Sequence, residues 1–269
     1  MRRVMASEWV KFRRKGMFAA LGGIIAVTVL GTVISVFTVS SRTTANSAGG
    51  GPLGGKSSIG FTQFVSSHGL ADALGNAGTL LGVIVMGIVA ASIAGEFSTG
   101  TLRNLLVREP RRTRLLSGKL LGLASAITLA VVVASAVAIL AGVLAASSKG
   151  LPIHAWGSWS GFGATAGAIA ELVGATLGWG VLGAVLAVVF RSPVVAVVVG
   201  IVYALPLESI LGAISGNVSR WLPGKLLGAI SAGGNSTAGL APASWTIAIY
   251  VTIAISGTLL LFNRRDVLA

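Results

Sequence analysis

Six stretches of this chain are apolar for long enough to cross a bilayer, and the polar residues are confined largely to the segments between them. They run over about 17–39, 72–95, 120–146, 163–190, 193–213 and 243–262. A helix needs roughly 20 mostly apolar residues to span the hydrocarbon core. No Lys or Arg falls in the middle of any stretch, and each is bounded by Gly, Pro, Ser or charge. Only Phe190, Arg191, Ser192 and Pro193 separate the fourth from the fifth. Proline suits the first turn of a new helix, and a merged run would be far too long for one span. The pattern therefore predicts an all-α polytopic membrane protein: six transmembrane helices in a single transmembrane domain, residues 1–269. The first run is too long for a signal-peptide core and lacks a following small-residue cleavage pattern, so it is expected to be a span.

Charge adds an orientation. Lys and Arg concentrate beside the cytoplasmic ends of transmembrane helices. Arg2, Arg3, Lys11, Arg13, Arg14 and Lys15 precede the first span; Arg103, Arg108, Arg111, Arg112, Arg114 and Lys119 follow the second. With Arg191, Arg264 and Arg265 these make fifteen of the 20 basic residues on one side, against Arg42, Lys56, Lys149, Arg220 and Lys225 on the other. Both termini are thus expected in the cytoplasm, as an even number of spans requires. The formal net charge of +13 is not a nucleic-acid signal, because the basic residues sit in short clusters between apolar runs. Mean hydropathy is +0.90, and charged residues are only 10% of the chain, too few to cover a soluble domain of 269 residues. There are no cysteines, which excludes disulfides and thiolate metal sites.

The outer segments, about 40–71, 147–162 and 214–242, are rich in Gly, Ser, Ala, Asn and Thr. The first reads as flexible. In the third, Val218, Trp221, Leu222, Leu226, Leu227 and Ile230 suggest short amphipathic pieces at the outer interface, or an ordinary loop that touches lipid. At the other end of the chain, Met5, Trp9 and Phe12 fall at i, i+4 and i+7 among six basic residues. That spacing predicts a short amphipathic interfacial helix within 1–16.

Nothing here points to an enzyme, a cofactor or a metal. Gly50, Gly55, Lys56 and Ser57 fit the G-x-x-x-x-G-K-[ST] phosphate-loop pattern, but SRTTANSAG leads in and is no strand. The charge count also places that segment outside. His68 and His154 lie in or near outer loops with no second ligand at metal spacing, and neither H-E-x-x-H nor G-x-S-x-G occurs.

The segment Glu96 to Lys119, EFSTGTLRNLLVREPRRTRLLSGK, is the informative one. Span two is expected to end near Glu96, with Ser98 or Thr99 capping a short helix to about Val107. Leu102, Leu105 and Leu106 share one face of it, Pro110 stops it, a basic run follows, and Lys119 opens span three. Two readings of that apolar face are open: it meets a partner surface, or it rests on lipid headgroups while the arginines enforce topology.

E-F-S-T-G-T-L-R followed by P-R-R-x-R-L-L-x-x-K resembles the first cytoplasmic loop of type-2 ABC (ATP-binding cassette) export permeases. The likeness falls on Glu96, Gly100, Thr101, Leu102, Arg103, Pro110, Arg111, Arg112, Arg114 and Lys119. Glu109, an acid just before Pro110, departs from the basic turn. The six-span layout and the basic N-terminal segment are similar as well. The resemblance implies that the loop helix is a coupling helix, seated in a groove of a separate ATP-binding subunit. It implies an elbow helix at the N-terminus, a second membrane subunit in a homo- or heterodimer, outward transport, and no ATPase in this chain. A multi-pass protein of the plasma membrane, of the bacterial inner-membrane kind, is the expected setting.

Within the spans Glu171 stands out, since an ionisable group in hydrocarbon faces protein or a watery cavity. Gly163, Gly167, Glu171, Gly174 and Gly178 form one stripe of the fourth span, with Glu171 about 12 Å along it in the outer half. Glu171 is expected in a packed interface, either as a pathway or gate contact or as a structural carboxyl joining two helices. Glu208, beside Pro206, is expected to reach the headgroups. Trp156, Trp159, Trp179 and Phe162 suit a hydrophobic or amphiphilic cargo. Two other functions remain open: a proton-coupled secondary transporter using Glu171, and a membrane assembly or sensor protein that moves nothing.

Overall fold

The computed structural model describes residues 22–24, 26–34, 61–101 and 112–264. The expected interfacial helix of 1–16, with Met5, Trp9 and Phe12, lies outside the described residues. Among the described residues every regular element is helical. Helix α1 comprises 22–24 and 26–34. Two short helices follow, α2 (Phe61–Val65) and α3 (Gly69–Asn76), then the long α4 (Gly78–Ser98), α5 (Arg112–Ser148) and α6 (Trp159–Phe190). A bent helix comprises α7 (Pro193–Val202), a widened π turn (Tyr203–Leu207) and α8 (Glu208–Ile214). After it come α9 (Gly216–Ser219), α10 (Pro223–Ser231) and α11 (Leu240–Arg264). Five of these elements are long and apolar enough to cross a membrane: α4, α5, α6, 193–214 and α11. The apolar α1 is shorter within its described residues. The chain is a multi-pass membrane protein.

Helices α4 and α6 form the centre. Half of α4's most apolar window and 56% of α6's are buried within the chain, against 22% for 193–214 and 17% for α11. A stripe of small residues lets two helix backbones approach where lipid offers no hydrophobic drive to pack them. A Cβ on Gly183 of α6 would collide with the carbonyl oxygen of Met86 in α4. One on Gly82 of α4 would collide with the indole of Trp179, which is 0% exposed. Leu81, Val85, Val89 and Ile93 carry the contact along α4, and Leu123, Ile127 and Val131 of α5 join it, with Ile24 of α1. Hydroxyls inside the bundle return to their own helices: Thr28 to Ile24 O (2.8 Å), Thr32 to Thr28 O (2.9 Å) and Thr176 to Leu172 O (2.9 Å). Such back-bonding satisfies a donor where no water competes.

Two expectations for the outer segments are corrected. Residues 61–71, read from composition as flexible, belong to a packed cap. Gln63 donates to Asp72 (2.7 Å), and the indole of Trp156 donates to the Phe64 carbonyl (3.0 Å) with its ring edge-on to Phe64 at 5.2 Å. Leu70, Ala73 and Ala146 complete that cluster. The second correction is α10. Leu226, Leu227 and Ile230 do not lie at an outer interface; they are buried among Val83, Met86 and Trp179. Nine residues are too few to cross a membrane, so α10 dips into the bundle and turns back. The return is a Schellman closure, Gly234 N–H to Ala229 O at 2.8 Å, with Gly233 at φ +67. Trp221 and Val218 of the same segment stay exposed.

The α4–α6 contact generates a test. Gly183→Ala should destabilise the chain by about 1–3 kcal/mol, the usual cost of overpacking. Gly163→Ala, where a Cβ meets nothing within 4 Å, should leave the detergent-solubilised melting temperature unchanged.

Candidate functional site

The basic ends of α4, α5, α6, α7 and α11 converge. Helix α4 continues to Ser98, beyond the expected stop at Glu96. The Ser98 and Thr99 hydroxyls both donate back to Gly95 O, at 3.0 and 2.8 Å, and so finish α4. Gly100, at φ +67, turns the chain away from α4. Leu102, Arg103, Leu105, Leu106, Pro110 and Arg111 lie outside the described residues, as does the expected coupling helix they form; of Arg112 only the backbone is described. Helix α5 starts at Arg112, inside the 96–119 loop, and Lys119 is therefore within it. Thr101, Thr113 and Arg114 are exposed, whereas Lys119 is 4% exposed. The Lys119 ammonium pairs with the Glu96 carboxylate.

Next to that pair, Phe97 meets Phe262 of α11 edge-on at 6.0 Å, and the Arg191 guanidinium lies over the Phe97 ring at 5.8 Å. Leu116, Leu120 and Leu259 fill the space around the two rings. Arg191 sits in the left-handed region at φ 53, costly for a residue with a Cβ, and Ser192 before Pro193 is extended. That two-residue turn sends the chain straight back from α6 into α7 and aims Arg191 at Phe97. One joint thus links three helices, α4, α5 and α11, to the turn between α6 and α7.

Of the two carboxylates inside the bundle, Glu208 departs from its expected place, and Glu171 lies beside the end of α10. The stripe on α6 is not wholly packed: Gly163, Gly167 and Gly174 have nothing within 4 Å of a Cβ position. Only Gly178 is closed, against Leu227 of α10. Glu171 is half-buried, and its Oε2 comes within 3.2 Å of where a Cβ of Gly233 would stand, at the end of α10. Glu208, far from reaching the headgroups, is 2% exposed and accepts from the Gly224 N–H at 2.7 Å. The Lys225 N–H and the Tyr203 hydroxyl also donate to it. A carboxylate at a helix N-terminus satisfies donors that have no partner within the helix. Tyr203 and Glu208 reach the same place because the π turn around Pro206 intervenes; five residues of ordinary α-helix would separate them by about 140°. Gly224 is needed as well, since a Cβ there would collide with the Glu208 carboxylate. Trp156 and Trp179, read as cargo contacts, are buried packing residues, whereas Trp159 and Phe162 are exposed. Among the described residues no His, Cys, Asp or Glu cluster forms a metal site.

The family model for the ABC-2 family transporter protein matches residues 4–207. The chain belongs to the ABC-2 transporter family. Comparison with the curated proteins finds no match. The matched region contains the Glu96–Lys119 joint, Arg191 and the α4–α6 centre; Glu208, α10 and α11 follow it. An ABC-2 chain is the membrane component of a transport system. Its helices are therefore the natural place to look for a pathway.

Sequence reasoning sent Glu208 to the headgroups because Gly224, the backbone donor it meets, lies sixteen residues away on an element whose burial no local pattern discloses. The arrangement predicts that Glu208→Ala leaves the first turn of α10 with an unsatisfied buried N–H, at about 1–3 kcal/mol. Glu208→Gln keeps an acceptor and should lose less. Thermal unfolding in detergent measures both.

Proposed function

We propose that this chain is the membrane-spanning subunit of an ATP-driven exporter, with ATP hydrolysis supplied by a separate subunit. The carrying observation is the ABC-2 family match over residues 4–207. Other features support the reading. The segment SRTTANSAG that leads into the phosphate-loop pattern does not read as a strand, which fits an ATPase supplied in trans. The loop 96–119 supplies what a docking site needs: an apolar face on Leu102, Leu105 and Leu106, a basic run from Pro110 to Arg114, and ends anchored in two long helices.

In this account six spans cross the plasma membrane, with both termini and the 96–119 loop in the cytoplasm. Two membrane subunits, identical or related, pair around a pathway. Gly100 and Thr101 begin the docking segment, and Arg103, Arg111, Arg112 and Arg114 flank it. The pathway runs past the outer half of α6, where Glu171, Gly167 and Gly174 lie, and the cargo is hydrophobic or amphiphilic. Glu171 braces the end of α10.

Co-purification tests the reading. The tagged chain, extracted in mild detergent from cells expressing its neighbouring ATPase, should bring down that subunit in stoichiometric amount. The triple change Leu102→Asp, Leu105→Asp and Leu106→Asp should abolish the association and leave the melting temperature within about 2 °C, as expected of a face that only a partner covers. An intact protein that retains no ATPase would remove the exporter reading.

A further inference from the structure

Glu96 and Lys119 stand at the two ends of the loop that the proposed function gives to the ATPase, yet neither is placed to touch a docked subunit. The Lys119 side chain is 5% exposed and that of Glu96 is 12% exposed. Lys119 lies about 10 Å into α5 from Arg112, two turns below the loop. The surface open to a partner is made instead by Ser98, Thr99, Gly100, Thr101, Thr113 and Arg114, all exposed. We propose that Glu96 and Lys119 are positioning residues, an internal clamp that holds the loop's two ends at one separation so that a push on the loop moves α4 and α5 together. This rests on the exporter reading for the source of the push, but the clamp itself is a property of the chain alone.

The physical argument has three parts. A charge withdrawn from water is tolerated when an opposite charge is held against it, and loss of either partner strands the other. The pair therefore resists separation of the helix ends more firmly than apolar contacts, which slide. Second, the pair ties α4 to α5 directly, so a displacement of one helix end is passed to the other across it. Third, the clamp does not stand alone. Phe97, the residue after Glu96, is held between Arg191 at 5.8 Å and Phe262 at 6.0 Å. A displacement of the α4 end is thus delivered to the α6–α7 turn and to α11. The Glu96 and Lys119 positions carry signal inside the permease, and recognition of the partner falls to the residues between them.

The absence of cysteine makes the test direct. Spin labels on Ser98→Cys and Thr113→Cys, both exposed in the native chain, report the separation of the two helix ends by pulsed dipolar spectroscopy. The parent should give one narrow distance, unchanged when the ATPase complex is trapped with ATP and vanadate. Glu96→Gln and Lys119→Met should each lose the narrow distance while still co-purifying the ATPase at parent stoichiometry. The exchange of Glu96→Lys with Lys119→Glu should restore it, which separates pairing from a general loss of folding. A narrow distance that survives either single change overturns the clamp, as does an exchange that stays broad. Loss of the ATPase from a single variant with a narrow distance would make these residues partner contacts and overturn it too. If the parent chain itself binds no ATPase, the exporter reading falls, and the distances in the isolated chain still decide the clamp.

Discussion

Helices surrounded by lipid gain nothing from hiding apolar side chains from each other, because the solvent is as apolar as they are. What holds this chain together is therefore contact at short range, and the α4–α6 seam depends on residues without side chains. Gly183 lets α6 lie on the Met86 carbonyl, and Gly82 opens the space that Trp179 fills. Once those two helices are locked, α5, α1 and α7 pack against them. Helix α10 then finds a slot between α4, α6 and α11. The least buried elements, 193–214 and α11, lie at the periphery of this frame.

Polar groups inside such a frame are few, and those with a built environment mark its two ends. At the basic end a buried ion pair joins α4 to α5, and an Arg–Phe–Phe stack carries the joint to α6, α7 and α11. At the opposite end Glu208 ties α8 to the N-terminus of α10, while Glu171 lies beside the C-terminal turn of α10. A short helix dipping into the bundle and held at its N-terminus by Glu208 is an element whose position answers to the helix that carries that carboxylate. In an ABC-2 chain the basic end is where motion is proposed to enter, and the α10 region is where the bundle closes on the other side.

Much of this was legible in the sequence, for identifiable reasons. Long apolar runs bounded by Gly, Pro and charge announce membrane helices, and the E-F-S-T-G-T-L-R loop pointed to the ABC-2 family. The failures have physical causes too. Ser98 and Thr99 are back-bonding residues at the end of α4, a role that small hydroxyl residues fill as readily as a cap. The glycine stripe around Glu171 reads as a packing face, but no neighbour comes within 4 Å of a Cβ at Gly163, Gly167 or Gly174, and spacing along one helix cannot show where a second helix lies. Residues 61–71 and α10 look like loops because small and polar residues dominate locally; their order comes from Trp156, Trp179 and Glu208, far away along the chain. Glu208 became buried through a π turn, a change of helical phase that periodicity cannot register.

The central claim is that the loop 96–119 receives the ATPase. A photo-crosslinking amino acid placed at Leu105 in living cells, irradiated without extraction, tests it most directly. The account predicts a crosslink to a nucleotide-binding subunit from Leu105 and none from the same probe at Trp159, at the opposite end of the bundle. A Leu105 probe that captures only lipid or its own chain, while the protein remains folded and expressed, would contradict it.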